Sequence, residues 1–304
     1  MKSATSFTLV GAISIVMWGA ILPLLRLSSE RAGMFSTLLV VQGVAGALGV
    51  IAVAASGRFP RTSSVYLSPY FYLRWALFVA HVLCIYTAVS VVERADMSAV
   101  VFANYMWPTL ALVYALVISK IKVAKPILFA IGIGLTVVAI IIEFAWPVIT
   151  VALSSGSLLA ILIAFVGANS WGLYSAVTRR FGDVSGGSAV TPLYPLSCGA
   201  IAALMIVIGG GDRVDSSLAD LKISVPALFA ALFNFIAYLC WDIGLRKGNI
   251  FSLTLLADFI PWMSLAAVSL LLGVELNWRT LMSALLLVAG AVIARLSAMR
   301  REIA

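Results

Sequence analysis

An all-α integral membrane protein, with ten transmembrane helices arranged as two inverted five-helix repeats around a central cavity, is the fold class this sequence predicts. Three observations lead there. Of the 304 residues, 63% are hydrophobic and 11% charged, against roughly 25% charged in soluble domains, and the mean hydropathy is +1.12. Ten apolar runs each approach the ~20 residues that a helix needs to cross a bilayer. The chain also matches itself at a constant offset: Trp18 and Trp171 lie 153 residues apart, and so do Pro108 and Pro261.

In chain order the runs are 6–25, 33–55, 75–92, 98–118, 127–145, 158–177, 189–209, 225–243, 251–272 and 280–297. They leave only short connections, so no separate soluble domain is expected and any chemistry must happen inside the bundle. The first run carries Trp18 and Pro23 and has no small-residue cleavage site before Arg26. It therefore reads as a span rather than a secretory leader.

The net charge of +8 is explained by where the cations fall. With the N-terminus inside, fourteen of the 20 basic residues, including Lys2, Arg74, Lys120, Arg180 and Arg295, flank inner ends, and six, among them Arg26, Arg94 and Arg279, flank outer ends. That asymmetry follows the positive-inside rule and places both termini in the cytoplasm. Without a basic stripe on one exposed element, nucleic-acid binding is excluded as a partner class. Cys84, Cys198 and Cys240 fall inside apolar runs at spacings that suit neither a disulfide framework nor zinc, so they read as small core residues. No metal site and no cofactor is expected. There is no Walker sequence, which argues against ATP drive.

The offset of 153 superposes Trp18-Gly19 on Trp171-Gly172, Arg26 on Arg179, His81 on Asn234, Arg94 on Lys247 and Pro108 on Pro261. A duplication explains five separated markers at one shift. Its halves are residues 1–150 and 151–304, joined in the loop from Phe144 to Ser157. Five spans per half is an odd number, so the second copy enters the membrane from the opposite side.

The segment Phe102-Ala-Asn-Tyr-Met-Trp-Pro108 directs attention to the cavity. A proline inside a helix removes a hydrogen bond, and here it should leave the Asn104 carbonyl unpartnered. Asn104 and Trp107 are three apart and share a face, with Tyr105 between them. Together they could offer an acceptor for an ammonium and a donor for a carboxylate without a full buried charge. The competing reading is that Asn104 bonds a neighbouring helix and Trp107 is packing. His81, the single histidine, is read as cavity-lining because ionisable groups inside membranes are functional candidates, although a neutral core histidine would look the same. Asn234 is its repeat mate. Trp18 and Trp171 lie too deep in their runs for an interfacial belt and are read as matched cavity walls, with Asn169 and Tyr174 beside Trp171. Asp258 stands three residues before Pro261 and could carry a proton, meet a substrate ammonium or serve only as a structural hydrogen-bonding group. Trp262 is preferred over Trp241 for the cavity because it follows Pro261. Pro108 and Pro261 are read as paired hinges. Asp242 and Arg246, four apart near the inner surface, are read as a local ion pair.

Two five-span repeats, each opening on Trp-Gly and carrying a proline in its fourth span, resemble the drug/metabolite transporter superfamily with its paired EamA-type domains. Within it, the His81 helix and the Asn-Tyr-Met-Trp-Pro segment are most similar to the YddG-type aromatic amino-acid exporters. The resemblance implies a ten-helix basket lined by helices one, three, four, six, eight and nine. It also implies export of amino acids across the bacterial inner membrane. The expected partners are then a small-molecule substrate and the lipid bilayer; no protein partner is required, and a monomer suffices. A drug or small-metabolite exporter of the same fold is the runner-up, followed by an intramembrane enzyme, for which His81 with Asp258 is a thin active site, and by a channel.

Overall fold

The computed structural model describes residues 2–56, 69–118, 120, 122–145, 155–181, 196–204, 223–247 and 250–298. Their helices are α1 (Lys2–Ala32), α2 (Met34–Ser56), α3 (Pro69–Val91), α4 (Met97–Asn104), α5 (Trp107–Ile118), α6 (Pro126–Ile140), α7 (Ser155–Phe181), α8 (196–204), α9 (Val225–Lys247), α10 (Ile250–Ala257), α11 (Ile260–Leu272) and α12 (Trp278–Ala298). A 3-10 turn, Arg94–Asp96, precedes α4, and a π turn, Ile141–Ala145, ends α6. Among the described residues, eight helical stretches are long and apolar enough to cross a membrane, and Val225–Trp241 is a shorter apolar helix. The seventh predicted run, 189–209, is described only over α8. Most of the junction between the predicted halves and the side chains of the Asp242–Arg246 pair lie outside the described residues.

Helix is what these segments must form, because a bilayer offers no water to a bare N–H or carbonyl. The prolines are spent where they cost least. Pro69 and Pro126 open α3 and α6, and Pro108 and Pro261 are the second residues of α5 and α11, positions whose N–H lacks an intrahelical partner anyway. Pro23 is the exception, inside α1. Two chain reversals rest on glycine in the left-handed region: Gly33 at φ 79° between α1 and α2, and Gly273 at φ 68° capping α11.

The fourth and ninth runs are each broken, and the break differs from the expected one. The expectation that Pro108 interrupts a helix from within is corrected: α4 has already ended at Asn104, and Pro108 starts the next helix. The turn is Tyr105–Met106, where the Met106 N–H reaches only to the Ala103 carbonyl, 3.5 Å away. In the second case it is Asp258–Phe259, with the Asp258 N–H donating to the Leu255 carbonyl at 3.3 Å. Tyr105 and Asp258, like Met106 and Phe259, are 153 residues apart.

The main helix contacts are α1 with α9, α3 with α7, α6 with α12, α5 with α7 and α1 with α11. Glycines permit the closest of them. A Cβ on Gly19 would lie 2.9 Å from Met263 Cβ, and one on Gly172 would lie 3.0 Å from Leu110 Cβ. Gly172 is 153 residues beyond Gly19, and Met263 is 153 beyond Leu110, so one contact is the other with its partners exchanged. At one end of the bundle, Arg26 Nη1 donates to the carbonyls of Val89 (2.9 Å), Ser90 (3.2 Å) and Val92 (2.5 Å), which caps α3. Its Nε donates to Glu30 at 2.7 Å, and Glu30 also receives Arg94, tying α1, α3 and the start of α4 together.

The α6–α12 crossing is the tightest. A Cβ at Gly132 would sit 2.5 Å from Ala294 N and 2.7 Å from Gly290 O, backbone atoms that cannot rotate aside. Gly132→Ala is therefore expected to lose stability, by about 1–3 kcal/mol for an overpacked contact, read as a lower thermal unfolding midpoint in detergent. Gly134→Ala, with no atom within 4 Å of its new Cβ, should leave the midpoint unchanged.

Candidate functional site

Spacing on five runs brings one set of side chains to a common point. Trp18, Ile21, Leu22 and Leu25 form a stripe of α1, and His81, Val82, Ile85 and Tyr86 form one of α3; Asn234 and Tyr238 are four apart on α9. Asn104, Tyr105 and Trp107 come from the α4–α5 break and Trp171 from α7. These residues enclose a cavity of about 60 Å³. That holds a few waters and is well below the ~300 Å³ where ligand pockets begin.

Its walls are rings in mutual contact. Trp18 sits among Trp107 and Trp171, both 6.4 Å away between centroids, Tyr238 at 5.4 Å and Trp241 at 5.1 Å. Most of these are edge-on, the geometry the ring quadrupoles favour. Trp171 is stacked at 4.6 Å on Tyr174 and lies 5.1 Å from His81. Tyr105 donates its hydroxyl to the Trp18 carbonyl at 2.8 Å, so the α4–α5 break is fastened to the helix that carries the central indole.

The polar groups of the cavity are uncharged side chains: none of its lining residues is Asp, Glu, Lys or Arg. His81 Nδ1 is 2.9 Å from the Gly167 carbonyl. A carbonyl only accepts, so Nδ1 carries a proton, and in the neutral imidazole Nε2 is left as an acceptor. Asn104 is 5% exposed, and its Oδ1 is buried without a hydrogen-bond partner among the described residues. An amide oxygen left in that state is costly and is what a bound donor would relieve.

Of the residues singled out in the sequence, Trp18, His81, Asn104, Tyr105, Trp107, Trp171 and Asn234 line the cavity. Tyr174 stands behind Trp171. Asn169 is two residues from Trp171 and so on the far side of α7; it donates to Phe165 O at 2.8 Å and accepts from Tyr114 at 2.7 Å. Asp258 faces α12 instead, in a fork with Arg295, Oδ2 3.0 Å from Nε and Oδ1 2.9 Å from Nη2. Its carboxylate is thereby satisfied by a cation of its own chain. Trp262 packs on the core, and neither it nor Trp241 lines the cavity; Trp241 stands directly behind the lining rings, 5.1 Å from Trp18 and 6.2 Å from Trp107. Proximity to Pro261 along the chain did not fix the facing of a helix that restarts there. Sequence reasoning also missed Tyr238, Tyr86 and Phe78. Tyr238 and Trp241 follow Asn234 at four and seven residues, the signal that could have found them.

Residues 158–296 match the EamA-like transporter family. The second part of the chain thus resembles that family. It is 26% identical over 300 residues, 97% of this chain and 98% of the relative, to a protein of Salmonella typhimurium strain 14028s named aromatic amino acid exporter YddG. It is 24% identical over 298 residues, 96% and 98% of the two chains, to the Escherichia coli K12 protein of the same name. One solved crystal structure superposes with a TM-score of 0.66 at 20% identity, covering 98% of this chain and 100% of the other, so the two share a fold. This chain is thus a multi-pass membrane protein similar to transporters.

The Asp258–Arg295 pair gives a clean test of what holds the start of α11 to α12. The two side chains are 0% and 12% exposed. Asp258→Asn strands a guanidinium and should cost about 3–5 kcal/mol, while the double variant Asp258→Asn with Arg295→Met should recover most of the loss. Thermal unfolding midpoints in detergent check both.

Proposed function

We propose that this chain is a secondary transporter that exports amino acids, aromatic and other large apolar ones foremost, from the cytoplasm by alternating access. One observation carries the reading: a cavity walled by indole and phenol rings, free of charged side chains, with the buried Oδ1 of Asn104 unpartnered beside a helix break. Rings favour an aromatic or large apolar side chain. A zwitterion has no net charge and needs one acceptor and one donor, which the single Asn104 amide offers as Oδ1 for the ammonium and Nδ2 for the carboxylate. His81 Nε2 is a second acceptor. The names of the two bacterial relatives agree with this substrate class.

Two inverted five-helix repeats, residues 1–150 and 151–304, underlie the motion. In support, the two helix breaks and the Gly19 and Gly172 contacts recur at the 153-residue offset with partners exchanged. The repeats rock around the cavity, Pro108 and Pro261 marking the hinges and each break exchanging hydrogen-bond partners at little cost. At about 60 Å³ the cavity is contracted, so loading must part Trp18 from Trp107 and Trp171. Ten helices then cross the bacterial inner membrane with both termini cytoplasmic, an orientation that the charge asymmetry of the sequence supports.

The test is efflux from preloaded proteoliposomes against the full set of proteinogenic amino acids and a few cationic drugs. Phenylalanine, tryptophan, tyrosine and leucine are expected to leave fast and charged amino acids at background rate. Asn104→Leu should raise the KM for phenylalanine about tenfold or more, the loss of a hydrogen bond to a charged group. Preference for the drugs would move the assignment to the drug exporters of this fold.

A further inference from the structure

Arg74 lies outside the cavity lining and has no part in the contacts described so far. It is 5% exposed, yet among the described residues no carboxylate lies within ion-pairing distance of it and no acceptor within hydrogen-bond reach. The positive-inside rule is satisfied by a cation at the lipid headgroups and does not call for a buried one. A guanidinium shut into a bundle without a partner is expensive and marks a site.

A second orphan shares its level. The Oγ1 of Thr178 is buried with no hydrogen-bond partner among the described residues. Helices α3 and α7 run antiparallel, and ring contacts fix their register. Tyr70 stacks on Phe181 at 4.1 Å, and Phe78 meets Tyr174 at 6.3 Å. Tyr70, Arg74 and Phe78 follow one another at four-residue steps on one face of α3, and Tyr174, Thr178 and Phe181 do so at four and three on one face of α7. Arg74 and Thr178 are therefore bracketed between the same two ring contacts.

We infer that Arg74 and Thr178 form a docking site for the substrate's α-carboxylate, one level below the central cavity. The inference rests on the transport reading above. Five guanidinium N–H donors and a hydroxyl, none of them paired among the described residues, have the chemistry that receives a carboxylate. Arg74 is seven residues before His81, about 10 Å along the same stripe of α3. Between them stands Phe78, fully buried against Trp171, Tyr174 and Tyr238. Arg26, near the other end of α1, touches the end of α3, so Arg74 belongs to the bundle end that holds the start of α1. In the proposed orientation this is the cytoplasmic end. The amino acid is held there by its carboxylate while its ring waits at Phe78, and it moves up when the aromatic cluster parts.

The test pairs a substrate with a competitor that lacks the carboxylate. Tracer phenylalanine efflux from proteoliposomes gives KM and kcat, and phenylalaninamide, present on both sides of the membrane, gives an inhibition constant. Arg74→Gln should raise the KM for phenylalanine about tenfold or more, as for a lost charge-assisted hydrogen bond, with kcat and the phenylalaninamide constant each within about twofold. Arg74→Lys and Thr178→Val should fall between it and the parent protein. If Arg74→Gln weakens phenylalanine and phenylalaninamide equally, or neither, the docking site is overturned and the transport reading stands. If Arg74→Gln does not fold, the same comparison on Arg74→Lys and Thr178→Val decides. A parent protein that moves no phenylalanine overturns the transport reading and this site with it.

Discussion

Backbone hydrogen bonding in a medium without water is the constraint on which this structure depends. It makes the described residues helical almost throughout, and it makes the interruptions at Tyr105–Met106 and Asp258–Phe259 costly unless protein covers them. Cover is supplied by α1 and α7. Gly19 lets α1 close on α11 beside the second break, and Gly172 lets α7 close on α5 beside the first, its position only 3.3 Å from the Trp107 carbonyl. The Tyr105 hydroxyl then fastens the first break to the Trp18 carbonyl. Irregular backbone and aromatic cavity are thus one construction.

Polar groups are sorted by the same economy. Asp258 is matched by Arg295 across α11 and α12, Glu30 by Arg26 and Arg94 at the partly exposed end that caps α3, and the buried Glu143 accepts a hydrogen bond from the Thr280 hydroxyl. The cavity keeps groups that are polar but uncharged, and among them the Asn104 amide oxygen has no partner. A site of this kind favours ligands whose charges cancel, since a net ion would bring its desolvation cost with nothing to offset it. Arg74 departs from the pattern, a buried cation without a counter-charge among the described residues, which is why it attracts a functional reading.

Rings make the site small when nothing is in it. Trp18, Trp107, Trp171, Tyr238 and Trp241 meet edge to face and fill the space that a ligand would occupy. In the proposed transport reading, ring–ring contacts give way to ring–ligand contacts, an exchange close to neutral in dispersion energy.

Much of this was legible in the chain. Apolar length marked out the helices, because the bilayer demands about 20 residues of each, and the 153-residue offset paired Trp18 with Trp171 and Pro108 with Pro261 before any fold was known. Depth within the runs singled out Trp18 and Trp171, an ionisable group at membrane depth singled out His81, and the 153-residue offset added Asn234; the cavity lining includes all four. What failed was facing. Asn169 turns toward Tyr114, Asp258 toward Arg295, and Trp241 rather than Trp262 meets the central indole. A helix apolar all round carries no amphipathic stripe to say which side looks inward. The sequence by itself determined which residues lie at membrane depth, since that depends on local hydrophobicity and length. Which of them see one another was decided only by tertiary packing, because glycine contacts and two short turns set the rotation of each helix about its axis.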